Sequence, residues 1–271
     1  MSWPRSPSTG VADQICIIRG GGDLGTGVAW RLTRAGFPVI VLELADPLTV
    51  RRTVALSSAV REGSIEIEGM VGRRVADHEQ AVEVARSGEV AVVVSAALID
   101  AGASVVVDAR LAKRNIDTSM ADAALVIGLG PGFTAGIDCH AVVETMRGHH
   151  LGRVLWSGSA APNTGTPGVI GGRGRERVVR APGAGPVTWA VDIGVRVKEG
   201  DHLGAVGGIE MAAPFDGVAR GLIAPGTNVV AGLKIGDIDP RAEPSYCWEI
   251  SDKALSIGGG VLEAVMAWTI S

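Results

Sequence analysis

Between Ile15 and Gly27 the chain sets glycines where a backbone can hold a phosphate. Gly20, Gly22 and Gly25 fit G-x-G-x-x-G, with Gly21, Asp23 and Leu24 interleaved. An apolar run, Ile15 to Ile18, leads in, and an amphipathic stretch from Val28 to Ala35 leads out. Strand, glycine turn and helix in that order serve three ends: a tight turn, room for a phosphate against the backbone, and close helix–strand contact. The first-turn amides and the helix dipole would face the anion. A second strand, Val39 to Leu44, carries Glu43 near its end, 23 residues after Gly20. That is about where an acidic side chain hydrogen-bonds a ribose 2′-hydroxyl. The plainer reading of the same residues is a glycine-rich turn that only packs tightly. Arg51 and Arg52 fit either a contact to a 2′-phosphate or a solvated helix start.

The elements that must position this loop alternate between two periods. Ile65 to Glu68 and Val71 to Val75 suggest a small hairpin, and His78 to Ser87 has helical spacing. Val90 to Val94, Ser104 to Val107 and Ala123 to Ile127 are short apolar runs of the kind buried on both faces of a sheet. Short helices are expected over Asp46–Ser58 and Ser95–Ala101, and a longer one over Ile137–Arg147, with a last strand at Val154–Trp156. The pattern predicts a Rossmann-like α/β domain over residues 13–157, its sheet mostly parallel. Ligands of such sheets sit outside the carboxyl ends of the strands. Those ends gather the first glycine loop, Glu43, Asp108 and a second loop, Gly128 to Thr134, in which Gly130, Gly132 and Thr134 form a second candidate anion cradle. Arg110 and Lys113 follow Asp108 into the same crevice. Residues 158–177 read as a long linker loop, in which Asn163 is a candidate polar contact.

Bulk composition narrows the classes. The chain has 271 residues, 46% of them hydrophobic, with 39 glycines and a net charge of −4, so it carries no basic footprint for nucleic acid. No run approaches the roughly 18 apolar residues of a membrane span. Cys16, Cys139 and Cys247, widely spaced and odd in number, fit a reducing cytoplasm, as does the lack of an apolar signal core at Met1 to Arg5. Asp138-Cys139-His140 cannot all chelate one ion from a helix, because consecutive residues point about 100° apart. No C-x-x-C, H-E-x-x-H or G-x-S-x-G occurs, so no metal site is expected and no catalytic residue is singled out. His149 and His150 fit an exposed turn.

Past residue 175 the pattern becomes β-only. Gly194 to Gly204 recurs 32 residues later as Gly226 to Gly236, matching in kind at Gly194/Gly226, Val197/Val229, Gly200/Gly232, Leu203/Ile235 and Gly204/Gly236. With Ala213-Pro214-Phe215-Asp216-Gly217 between the copies, residues 178–243 resemble the biotinyl/lipoyl-type barrel-sandwich module. The stretch Gly207 to Ala212, equivalent to the carrier tip, has no lysine. The resemblance therefore implies a non-carrier module, used for packing or ligand closure. Residues 244–271 are a C-terminal segment with a docking helix, its helical spacing beginning at Val261.

Longer strings are similar to the YqeB family: Arg19 to Leu24, Arg51 to Val54, Val106 to Arg110, Gly130 to Gly136, Val143 to Gly148, Pro162 to Gly165 and Gly236 to Arg241. That family is associated with the selenium-dependent molybdenum hydroxylase system and described as Rossmann-like. The resemblance implies a cytoplasmic accessory or maturation protein that binds a nucleotide, NAD(P) or another, or a molybdopterin-type cofactor. Its expected partners are that phosphate-bearing ligand and a molybdenum hydroxylase, with a homo-oligomer left open. Two other classes are an NAD(P)-dependent oxidoreductase, in which Lys113, His140 or His149 would supply the proton, and a non-catalytic interaction module.

Overall fold

A computed structural model describes residues 10–166 and 168–270. Residues 1–9, Pro167 in the linker and Ser271 lie outside the described residues. The chain divides into two compact units. The first comprises Met1–Ala45, Leu56–Asn163 and Ile250–Ser271; the second comprises Asp46–Ala55 and Thr164–Glu249.

In the first unit, β1 (Cys16–Arg19), α1 (Asp23–Arg34) and β2 (Val39–Glu43) form the opening βαβ. There follow α2 (Ala59–Glu62), β3 (Ser64–Ile67), β4 (Met70–Val75), α3 (His78–Arg86), β5 (Val90–Val94), β6 (Val105–Asp108) and β7 (Leu125–Leu129). Then come β8 (Thr134–Ala135), β9 (Ala141–Val143), β10 (Val154–Leu155), β11 (Gly158–Ser159) and, at the end of the chain, α4 (Asp252–Thr269). Among the described residues nine strands form one sheet, in the order β10-β9-β7-β6-β1-β2-β5-β4-β3. The seven strands from β9 to β4 in that order run parallel, and β10 and β3 close the edges as antiparallel hairpin partners. The unit is a mixed α/β fold with a large, mostly parallel sheet.

The sheet follows from its side chains. Ile17, Ile40, Val93, Val106 and Val126 share a cluster with Ala81 and Ala85 of α3. Their neighbours Cys16 and Ile18 point to the opposite face, where α1 lies with α4 packed on it. β1 sits between β2 and β6, so the order reverses there. In open α/β sheets ligands bind at such switch points, outside the carboxyl ends of the strands.

Three local readings are corrected. Residues Ile137–Arg147 do not form a helix: Ala141, Val142 and Val143 are fully buried in β9, paired with β7, where β-branched side chains are favoured. Ser95–Ala101 has no helix either. The last helix starts at Asp252 rather than Val261, with the Ser251 hydroxyl accepting from the Ala254 amide at 3.2 Å. Gly258, Gly259 and Gly260 therefore lie inside it.

The second unit contains β12 (Val178–Arg180), β13 (Gly185–Trp189), β14 (Arg196–Val197), β15 (His202–Val206), β16 (Ile209–Ala212), β17 (Gly217–Leu222), β18 (Asn228–Val229) and β19 (Lys234–Asp239). They form two small antiparallel sheets, β12-β19-β17-β14 and β16-β15-β13-β18. The sequence repeat has a structural meaning. Its first copy supplies β14 and β15, its second β18 and β19, and the two copies contribute to the sheets in opposite order. The matched Val197, Val229, Leu203 and Ile235 are all buried in one apolar core.

Arg51 belongs to this unit and is no solvated residue. It is buried, and its guanidinium donates to the carbonyls of Tyr246 at 2.8 Å and Glu249 at 3.0 Å. Arg52 donates to the Leu222 carbonyl at 2.7 Å. The two carboxylates of the charged string Asp237 to Arg241 are also internal: Asp237 pairs with Arg177 and Arg220, and Asp239 with Arg220 and with the exposed Arg241.

Candidate functional site

The three motif glycines divide the tasks that G-x-G-x-x-G implies. Gly20 has φ of +104°, a turn that an L side chain rarely adopts, and a Cβ there would stand 3.0 Å from the Ala109 carbonyl. A Cβ on Gly25 would overlap the Gly20 carbonyl oxygen, so this glycine lets α1 approach the strand. Gly22 differs. It is the N-cap of α1, extended at φ −66° and ψ 178°, with no side-chain cap, and a Cβ built on it meets nothing within 4 Å. An ordinary residue fits there sterically, and the open space lies at the end of a 12-residue helix whose first amides have no partner within the helix.

Glu43 joins this loop directly. Its carboxylate accepts from the Gly21 amide at 2.8 Å and from the Leu44 amide at 2.8 Å. The second strand end therefore holds the glycine loop in shape. The Gly21 carbonyl in turn accepts from the Ser57 amide at 2.9 Å.

Asp108 closes β6 in register with Arg19 of β1, at the same sheet edge as the glycine loop, but Asp108 and Arg110 serve each other. Asp108 is buried, and Arg110 pairs with it at 2.5 Å and with Asp117 at 2.7 Å. The Thr118 hydroxyl donates to Asp108 at 2.7 Å. Arg19, the last residue of β1 and itself buried, completes the network by pairing with Asp117 at 2.9 Å. Hydrogen bonds from Arg19 and Arg110 hold the Asp117 carboxyl below its ordinary range. Asp117 and Thr118 carried no motif, and Arg19 was read only as the first residue of a family-like string; the signal was an arginine closing an otherwise apolar strand.

The second glycine loop is pinned from inside. Gly130 (φ +74°) donates its amide to the Val143 carbonyl at 2.9 Å, and Thr134 donates its amide to Asp138 at 2.8 Å. The Thr134 hydroxyl lies 2.9 Å from that of Ser159. Gly132 (φ +110°) allows the segment after β6 to pass close, since a Cβ there would come 2.6 Å from the Arg114 Cα. That segment carries Lys113, exposed, with its backbone in the left-handed region at φ +65°. Asn163 is exposed at the end of the first unit. Two residues earlier, the Ala161 amide donates to buried Glu144 at 2.7 Å.

Lys253, in the first turn of α4, was not legible as a site residue. It is partly buried, and that burial lowers its pKa. The charges of Lys113 and Arg147 push in the same direction, and those of Asp23 and Glu144 oppose them. Cys139 is fully buried, its thiol pushed up to about 12 by burial, and His149 and His150 are exposed. Among the described residues there is no cluster of three or more His, Cys, Asp or Glu suited to a metal ion, and no helix is long and apolar enough to cross a membrane.

These features define an α/β protein in which a glycine loop opens a helix beside the switch point of a mostly parallel sheet. No family model matches the chain. Over 269 residues it is 48% identical to YqeB of Escherichia coli (strain K12), described as an uncharacterized protein, and the alignment takes in 98% of this chain and 49% of YqeB. That likeness supports the YqeB-type resemblance of the strings. The chain spans about half the length of this curated relative. Among solved structures, a succinylglutamate desuccinylase/aspartoacylase from Rhodobacter sphaeroides is 14% identical, covers 83% of this chain and 84% of its own, and has a TM-score of 0.25. The product-bound ectoine utilization protein EutE (DoeB) from Ruegeria pomeroyi is 14% identical, covers 85% and 60%, and has a TM-score of 0.23. Neither likeness reaches the level at which it informs fold or function.

Proposed function

We propose that this chain is an accessory protein of a molybdenum hydroxylase system that binds a phosphate-bearing ligand, a nucleotide or a molybdopterin-type cofactor, in a Rossmann-like crevice. The observation that carries the ligand reading is Gly22: a glycine that neither backbone conformation nor packing requires, at the amino end of α1. Space beside such a helix end suits an anion. The molybdenum association is what the resemblance of the YqeB-type strings implies; the 48% identity to YqeB, described only as uncharacterized, supports the resemblance alone. In this reading the Gly20–Gly25 loop holds the phosphate. Glu43 lies where it would meet a ribose, once its own contact to Gly21 is shared or exchanged. Asp108 and Arg110 stiffen the floor of the crevice. The second unit is read as a non-carrier barrel-sandwich module: Met211 of the tip-equivalent stretch is buried and Glu210 exposed, and no lysine is present.

The test is ligand-dependent stability. Thermal unfolding of the full chain is followed with NADH, NADPH, CTP, ATP and molybdopterin, for wild type and Gly22→Val. A ligand at 100 times its Kd adds about 2.7 kcal/mol. Stabilisation by molybdopterin or a nucleotide in wild type, lost in Gly22→Val, is the expected result. Stabilisation by NADH with turnover of an alcohol or aldehyde would move the protein to the oxidoreductases. Stabilisation by none of the five would leave an interaction module.

A further inference from the structure

Gly21 is held through both its amide and its carbonyl by residues that flank an excursion of the chain. Its amide donates to Glu43 at 2.8 Å, three residues before the chain enters the second unit at Asp46. Its carbonyl accepts from the Ser57 amide at 2.9 Å, the second residue after the chain returns at Leu56. The Leu56 amide donates to the Thr26 hydroxyl at 2.9 Å, and that hydroxyl donates to the Gly22 carbonyl at 3.0 Å. A Cβ on Gly21 would stand 2.9 Å from the Ser57 nitrogen, so the returning chain lies directly against the loop. All of these contacts are within the first unit.

The excursion itself, Asp46–Ala55, is anchored as closely inside the second unit. Arg52 donates to the Leu222 carbonyl at 2.7 Å and the Thr53 hydroxyl to the Cys247 carbonyl. A Cβ on Gly221 of β17 would stand 2.9 Å from the Val50 carbonyl oxygen. Arg51 donates to the carbonyls of Tyr246 and Glu249, close to where the chain goes back to the first unit at Ile250. The link from the Thr53 anchor to Leu56 has little slack. Ala55 is extended, at φ −135° and ψ 120°, and Val54, Ala55 and Leu56 are buried. Three residues span at most about 10 Å, and no glycine or proline occurs from Leu48 to Glu62.

We propose that Thr53–Ser57 is a strap through which the second unit sets the shape of the first glycine loop. While Arg51, Arg52 and Thr53 are held, Leu56 and Ser57 are presented in register to Thr26 and Gly21. When those anchors yield, the Ser57 amide leaves the Gly21 carbonyl, and the loop that opens α1 loosens although nothing has touched it. The strap acts in both directions, because a coupling between two sites is reciprocal. A molecule that shifts Arg51–Thr53 in the second unit thus controls a loop of the first. The device is independent of what the loop binds.

Residue-resolved hydrogen exchange of the full chain, followed by NMR, tests the strap in wild type, Arg52→Met, Thr53→Val and Thr26→Val. Exchange reads local opening of each amide. Loss of one anchoring hydrogen bond, in Arg52→Met or Thr53→Val, should speed exchange at Gly21, Leu56 and Ser57 by about fivefold or more. Val92 and Ile127, inside the same sheet, should keep their wild-type rates. In the reverse sense, Thr26→Val removes the acceptor of the Leu56 amide. It should speed exchange at Val54 and Ala55, whose amides donate to the carbonyls of Arg51 and Arg52 in the second unit. Arg52 is only half-buried and keeps the test open should Thr53→Val fold poorly. Faster exchange at Val54 and Ala55 in Arg52→Met, with Gly21, Leu56 and Ser57 at wild-type rates, would overturn the strap. Equal acceleration at Ile127 and Val92 would overturn it too, since it would mark general destabilisation in place of a local link.

Discussion

Gly27 and Gly258 lie backbone to backbone where α1 crosses α4: a Cβ on Gly258 would overlap the Gly27 carbonyl oxygen. On its other side α4 is pressed the same way, with a Cβ on Gly260 overlapping the Gly152 carbonyl oxygen. Gly259, between them, meets nothing within 4 Å. Glycine in a helix interior costs about 1 kcal/mol relative to alanine. At Gly258 and Gly260 close approach offsets that cost; at Gly259 nothing does. Gly258→Ala should therefore destabilise the fold by about 1–3 kcal/mol through overpacking, and Gly259→Ala should stabilise it by up to about 1 kcal/mol. Urea unfolding of the two variants checks this. Equal effects of the same sign would contradict the crossing.

The first glycine loop allows the same kind of contrast. Gly22 has an extended backbone and open space, whereas a Cβ on Gly25 meets the Gly20 carbonyl. Gly22→Ala should change stability by no more than about 1 kcal/mol, the scale of an N-cap change. Gly25→Ala should cost at least the about 1–3 kcal/mol of overpacking, because the obstacle is backbone and cannot swing aside. Circular dichroism melts distinguish the two. A Gly22→Ala variant that unfolds as readily as Gly25→Ala would show that Gly22 is structural.

How much of this was legible in the sequence depends on where the deciding neighbours lie. The parallel sheet could be read because Val90 to Val94 and Val105 to Val107 are buried on both faces and announce it locally. The loop geometry at Gly20, Gly22 and Gly25 could be read because spacing alone sets it. Helical spacing was legible only from Val261, since the close contacts of Gly258 and Gly260 inside the helix come from Gly27 and Gly152. Arg51 read as solvated, although its partners, Tyr246 and Glu249, stand almost 200 residues along the chain. The partial burial of Lys253 escaped the sequence for the same reason: the charges that act on it, Asp23 first, lie in no local window. The segment before β9 looked helical because Ala141 to Val143 fits either period until the sheet supplies a neighbour.

Glu43 holds the loop and, in the proposed reading, meets the ligand's ribose; the two roles separate by substitution. In Glu43→Ala the amides of Gly21 and Leu44 lose a charged acceptor at 2.8 Å each. Hydrogen bonds to charged groups contribute about 1.5–3 kcal/mol; for this partly exposed carboxylate the lower end applies. Stability should fall by about 1.5 kcal/mol or a little more. Ligands containing ribose should bind more weakly. Inorganic pyrophosphate should bind as well or better, since a nearby negative charge has gone. Calorimetry with both kinds of ligand checks this, and parallel losses for both would assign Glu43 to loop shape alone.

His140 gives the first unit a pH dependence whose sign follows from one hydrogen bond. Its Nδ1 accepts from the Val126 amide at 2.9 Å, which requires a neutral ring, and burial lowers its pKa. In the unfolded chain a histidine titrates near about 6.5. Between that value and the lower folded one, the unfolded state binds more protons, so stability rises with pH. The contribution is fully present above about 6.5 and is lost as pH falls from there to the folded value. In His140→Asn the side-chain carboxamide oxygen offers an acceptor to the same amide and does not titrate. This variant should therefore lose less stability between pH 7.5 and 5 than wild type, read as urea midpoints at the two pH values. Groups titrating elsewhere cancel in that difference. Equal losses in the two proteins would show that His140 protonates without leaving its contact.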